Sequence, residues 1–198
     1  MATYKAIAAT SQAILGLLTS AAAAPGGEFS GVQIKLFRGE DLQKPMSDGI
    51  SLYLHRVVVS TEHRNRLPRR WPDGHVRRPA VPLDLHYLVN AWAPDAVKQQ
   101  RLLGWCIRVL ADTPTLPAGL LNHWGPEHDV FRPDETVEVL LEPLSTQDMS
   151  YVMEIGGASR EVAATFVARV IELESLDLPP VGELVQTRDL QFDTAVAP

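Results

Sequence analysis

Five segments of the chain alternate apolar and polar positions with period two, and three others repeat apolar positions at helical spacing. The first helical stripe is Tyr4, Ile7, Ile14, Leu15 and Leu18. It predicts an amphipathic helix packed on a sheet, although Lys5, the apolar run to Leu18 and the alanines at 21–24 imitate an export signal. Pro25-Gly26-Gly27 ends that helix, and Val32, Ile34 and Leu36 alternate with Gln33 and Lys35 as a first strand. Asp48-Gly49 is a turn signal ahead of a second strand over 50–59. A third strand over 81–92 places Val81, Leu83, Leu85, Tyr87, Val89 and Ala91 on one face, with Pro82 tolerable only near its end.

Ala93-Pro94-Asp95 opens the second helix, with Pro94 where a missing N–H costs nothing and Leu102, Leu103, Cys106, Val109 and Leu110 as its buried stripe. Residues 135–142 alternate again as a half-exposed strand. Ser145 to Asp148 has the form of a capping box, starting a third helix that buries Met149, Val152 and Met153. Residues 162–173 are rich in β-branched side chains and predict a further strand. Strands that alternate irregularly with helices, through links of hairpin and crossover length, define an α+β fold: one domain over 1–178, a largely antiparallel or mixed sheet with about three flanking helices. Pro179-Pro180 then detaches an extended arm, 179–198.

In that arm Leu184, Gln186, Arg188, Leu190 and Phe192 alternate with Val185, Thr187, Asp189 and Gln191. Two half-apolar faces make it a strand that another subunit could order on an open sheet edge. Residues 62–79 contain Pro68, Pro72 and Pro79, lack periodicity and read as a long loop.

Charge sharpens the picture. The 198 residues carry 18 Lys+Arg against 24 Asp+Glu, net −6, which excludes a generally basic nucleic-acid coat. From Asp134 onward thirteen acids face only Arg160, Arg169 and Arg188. In contrast, Arg56, Arg64, Arg66, Arg69, Arg70, Arg77 and Arg78 meet only Glu62 and Asp73. A chain with oppositely charged halves suits head-to-tail contact between copies, and the arginine loop is a candidate partner surface. Trp105, with Lys98, Arg101, Arg108 and Asp112 on the wet side of its helix, is a second candidate: an interface anchor or a residue covering the sheet edge. No run approaches a membrane span, so neither membrane nor nucleic acid is expected as a partner.

Chemistry is sparse. Cys106, the single cysteine, lies on an apolar stripe, where a thiolate is disfavoured, and a lone cysteine fits synthesis in a reducing cytosol. His86 sits in a strand beside Asp84, as a structural histidine would. His123, His128 and Asp129 have spacing compatible with metal ligands and keep a small metal-dependent enzyme or binder open as an alternative. No nucleophile elbow, phosphate loop or dinucleotide glycine pattern occurs, and no cofactor is expected.

Leu52-Tyr53-Leu54-His55-Arg56-Val57, then Asn65 in the arginine loop, then Pro82-Leu83-Asp84-Leu85-His86-Tyr87-Leu88-Val89, then Leu102-Leu103-Gly104, resemble in order and spacing one family. It is the tail-terminator (cap) proteins of phage-tail-like contractile injection systems, of the virulence-cassette and antifeeding-prophage kind. The resemblance runs from about residue 3 to about residue 175. It departs from the family pattern after Met149, where Tyr151, Gly156-Gly157 and Phe166 replace features the family tends to carry. It implies a non-enzymatic homo-hexameric ring that ends the inner tube and the contractile sheath, made in the bacterial cytoplasm as part of an assembled particle.

Overall fold

A computed structural model describes residues 2–44, 46–61, 69–70, 76–125, 127–155 and 162–176. In chain order it contains helix α1 (Ala6–Ala22), strand β1 (Gln33–Phe37), a 3-10 turn (Gly39–Gln43) and β2 (Gly49–Val59). Then follow β3 (Arg69–Arg70), β4 (Val76–Arg77), β5 (Val81–Trp92), α2 (Ala96–Asp112) and β6 (Thr115–Pro117). The remaining elements are α3 (Ala118–Leu121), β7 (Thr136–Leu141), α4 (Thr146–Ile155) and β8 (Ala163–Leu173). Six strands form one mixed sheet in the order β1-β2-β5-β8-β7-β6. The β1–β2 pair is parallel, and every other pair described in the sheet is antiparallel. The α+β reading therefore holds.

Helices α1, α2 and α3 cover one face of the sheet. There Leu85, Tyr87, Val89 and Ala91 of β5 meet Ile14 and Leu18 of α1 and Leu102, Cys106 and Leu110 of α2 in a single core. Strand β5 is central, flanked by β2 and β8, and buried at every position after Val81. The expected boundaries of β5 match, and Pro82 is its second residue, near the strand end as its missing N–H requires.

Several expectations need correction. Tyr4 is exposed and lies outside α1, whose buried face is made instead of Ala6, Ala9, Ala13, Ile14, Gly16 and Leu18. Small side chains win because the neighbours come close: a Cβ on Gly16 would lie 2.1 Å from the Trp124 ring. Thr10 and Ser11 are buried too, their hydroxyls donating to the carbonyls of Ala6 and Ile7. Asp95 is the N-cap of α2, its carboxylate accepting from the Lys98 N–H at 2.9 Å, which places Pro94 just before the N-cap and not in the first turn.

The Ser145 cap forms, since its hydroxyl accepts from the Asp148 N–H at 3.1 Å. The helix it opens does not bury the predicted stripe: Met149 and Val152 are half-buried, Tyr151 is exposed, and the Met153 side chain lies outside the described residues. The arginine loop contains a two-residue ladder, β3 with β4, and the short elements β6 and α3 stand between α2 and β7, where no period in the sequence marks them. The arm 179–198 lies outside the described residues.

Candidate assembly surfaces

The block from Leu83 to Leu88 buries Asp84 and His86 on the sheet face opposite the helices, and each has a structural partner. Between Leu83 and Leu85 the β5–β8 register slips, leaving Arg169 and Val170 opposite Asp84. Val170 adopts φ +60°, a left-handed conformation that costs a β-branched residue energy. Its N–H, turned out of the ladder, donates to Asp84 Oδ1 at 3.0 Å. His86 Nδ1 lies 2.7 Å from Glu142 Oε2, and the His55 ring meets the His86 ring edge-on at a centroid distance of 6.2 Å. Burial, then the neighbouring His86, hold the His55 imidazole below its ordinary pKa, with Glu142 opposing. Tyr87, on the helix side, shares a 2.9 Å hydrogen bond with Ser11, and burial drives its phenol upward.

The chemical candidates are accounted for the same way. Cys106 is fully buried and its thiol is pushed up to about 12 by burial, which leaves it unreactive at neutral pH. His123 stands edge-on to Trp124 at 4.8 Å, while His128 Nδ1 lies 3.1 Å from the Asn122 carbonyl. Both are exposed, as is Asp129, and no group of three or more metal-ligating side chains gathers among the described residues. A pocket of about 240 Å³ is lined by Arg132, Asp134, Glu135 and Glu172. Within that cluster Arg132 bonds Glu174 at 2.6 Å and Glu135 at 3.1 Å.

The surface candidates fare differently from one another. Arg64 and Arg66 lie outside the described residues, as do the side chains of Arg69, Arg70 and Arg77; Arg78 is exposed just before β5. Trp105 is half-buried, not on the wet side. Its ring packs against the core and lies 5.4 Å from the Phe29 ring. The cations expected around it are engaged within the chain: Lys98 with Asp48, Arg101 with Glu28 at 2.7 Å, and Arg108 with Asp112. Leu184, Leu190 and Phe192 lie outside the described residues.

One surface was not singled out from sequence. Strand β1 ends the sheet, and a groove of about 360 Å³ runs beside it, lined by Lys35, Leu36, Phe37, Asp41, Lys44 and Met46. Gln33, Lys35 and Leu36 are exposed. The alternation of Gln33 and Lys35 with apolar residues was the available signal, but a strand pattern does not say which strand ends a sheet.

The fold is thus a layered α+β domain in which the buried polar groups of β5 brace the neighbouring strands. The chain is a member of the Pvc16 N-terminal domain family, whose model matches residues 9–187. Among solved structures it resembles the sheath/tube terminator, in the extended state, of an extracellular contractile injection system of the PVC type: TM-score 0.56, 13% identity, 91% of this chain and 64% of that one. It also resembles the tube-terminating cap of the anti-feeding prophage, with TM-score 0.55 and 13% identity over 89% of this chain and 59% of that one. The chain thus spans about three fifths of the length of either cap. No curated protein matches it in sequence. Among the described residues no helix is long and apolar enough to cross a membrane.

Proposed function

We propose that this protein is a tail terminator: a cap that ends the inner tube and the sheath of a contractile injection particle, acting as a homo-hexameric ring. The observation that carries the reading is the family match over residues 9–187, joined to a fold shared with two terminator caps over about nine tenths of this chain. The physical logic is that of any stacked polymer. A tube grows because each ring offers the next one a fresh copy of the same surface. A terminator matches that surface on one side and offers no copy of it on the other. Such a role requires shape and charge, and no catalytic step.

In this reading Arg64, Arg66, Arg69, Arg70, Arg77 and Arg78 form the electrostatic contact to tube, to sheath or to a neighbour's acidic half. Exposed ion pairs contribute only ~0–1 kcal/mol each, so several must act together. Arg101, Trp105 and Arg108 border a second contact, with half-buried Trp105 as the anchor. Leu184, Leu190 and Phe192 belong to the arm that links subunits. The protein works as a component of the assembled particle, after synthesis in the cytoplasm of the producing bacterium.

The test is to polymerise the partner tube protein with and without this chain and to measure tube lengths and the mass of the free protein by light scattering. Shorter, uniformly ended tubes and a hexamer-scale mass are expected. Unchanged tube lengths and a monomer at every concentration would refute the proposal.

A further inference from the structure

The structure points to a seam between subunits: we propose that the outer edge of β1, with the groove beside it, receives the C-terminal strip 183–192 of a second copy of this chain as an added strand. This inference rests on the ring reading above and names the surfaces that would join its subunits.

Two strands end the sheet, and only one is fit to receive another. Strand β6 is three residues long, contains Pro117 with no N–H to offer, and runs directly into α3. Strand β1 is five residues long without proline, and among the described residues nothing pairs with its outer side. Open edges of this kind bind extended segments through main-chain hydrogen bonds, while adjacent pockets select alternate side chains. The groove at β1 offers Leu36, Phe37 and Met46 as apolar lining. The strip supplies Leu184, Leu190 and Phe192 on one face.

Charge selects the same pair. Asp41 in the groove is already held by the Arg38 N–H at 2.9 Å and by the Arg38 guanidinium. Lys35 and Lys44 have no ion pair among the described residues, so the charge left to offer is positive. The strip and the residue after it carry Glu183, Asp189 and Asp193 against Arg188 alone.

The place where the chain leaves the domain favours a second copy. Strand β8 ends at Leu173, opposite Val81, whereas Phe37 faces Tyr53, which faces Leu88. The exit is therefore three strands from β1 and about 24 Å further along the sheet. The way to its own β1 crosses three of the sheet's five strand intervals, roughly 14 Å, on top of that 24 Å, which takes up most of the ~33 Å that residues 173–183 span when fully extended.

Chains given one added cysteine each test this. A chain carrying Lys35→Cys is mixed with differently tagged chains carrying Leu184→Cys or Leu190→Cys under mild oxidation, with Cys106 buried and unreactive. The wild-type mass is measured alongside. A covalent dimer between tags is expected for at least one pair, and Lys35→Glu with Lys44→Glu should weaken assembly at least tenfold while leaving the circular dichroism spectrum unchanged. Crosslinks confined to a single chain carrying both cysteines would overturn the inference, because the strip would then lie on its own domain. Wild-type rings with no crosslink in any mixture would also overturn it, while leaving the ring reading intact. A wild type that never leaves the monomer would instead defeat the ring reading, and the seam with it.

Discussion

Replacing Asp84 by Ala should destabilise the domain through one backbone amide on the neighbouring strand. Asp84 is buried, and its carboxylate accepts the N–H of Val170, which the left-handed bulge turns out of the ladder. Removing the acceptor from a buried amide costs about 1.5–3 kcal/mol, which for a domain of this size lowers Tm by roughly 3–12 °C. Asp84→Asn keeps an oxygen in place and should cost less than about 1 kcal/mol. Val170→Gly supplies the internal control. Glycine releases about 1–2 kcal/mol of left-handed strain, offset by its greater chain entropy of about 0.5–1 kcal/mol and by the loss of a half-buried side chain worth about 1 kcal/mol. The balance lies within about 1 kcal/mol of zero, whereas the same change at fully buried Val139 should cost several times more. Urea unfolding followed by circular dichroism measures all four variants. A wild-type midpoint for Asp84→Ala, or equal losses for Val170→Gly and Val139→Gly, would refute the bulge-capping argument.

Other outcomes follow from the same geometry. His55 is held below its ordinary value of 6.5, so in the fold it stays neutral while the unfolded chain takes up a proton first; stability should fall as pH drops below 6.5, and His55→Gln should flatten that part of the profile, as thermal melts from pH 7.5 to 5 will reveal. Gly16→Ala would place a methyl 2.1 Å from the Trp124 ring, and should either lower Tm by several degrees or displace the indole, seen as a shift in tryptophan emission; no change in both would contradict the close approach. If the arginine loop is an electrostatic contact, assembly should weaken as salt shortens the Debye length below ~8 Å, and Arg69→Glu with Arg70→Glu should remove that salt dependence. Assembly of this double variant at wild-type strength would exclude the loop.

The legible parts of the fold were those where one periodicity dominates. Strand β5 reads cleanly because its apolar residues alternate over twelve positions, and α2 because Leu102, Leu103, Cys106 and Leu110 repeat at helical spacing. Helix α1 was visible as an element but not in its facing, since alanine and glycine carry little hydrophobic signal yet permit the close packing that decides burial. Strand β6 and helix α3 are too short to show a period, and they form because Leu116 and Leu121 drop into the core. The bulge at Val170 was hidden for a different reason: valine is a strand former, and the acceptor for its turned-out N–H is the Asp84 side chain on the next strand. Half-burial of Trp105 likewise depends on Phe29, far away in sequence. Candidate chemistry was easier to judge, because a cysteine on an apolar stripe and a histidine within a strand already carry their structural explanations.

On the function proposed above, this chain would close tube ends as a sixfold ring. Electron microscopy of tubes assembled from the partner protein, with this protein added and labelled, tests it most directly. One ring of label with sixfold averages is expected at a single end of each tube, and none along the wall. Label distributed along the walls, or tubes whose ends stay bare while the protein remains monomeric, would contradict it.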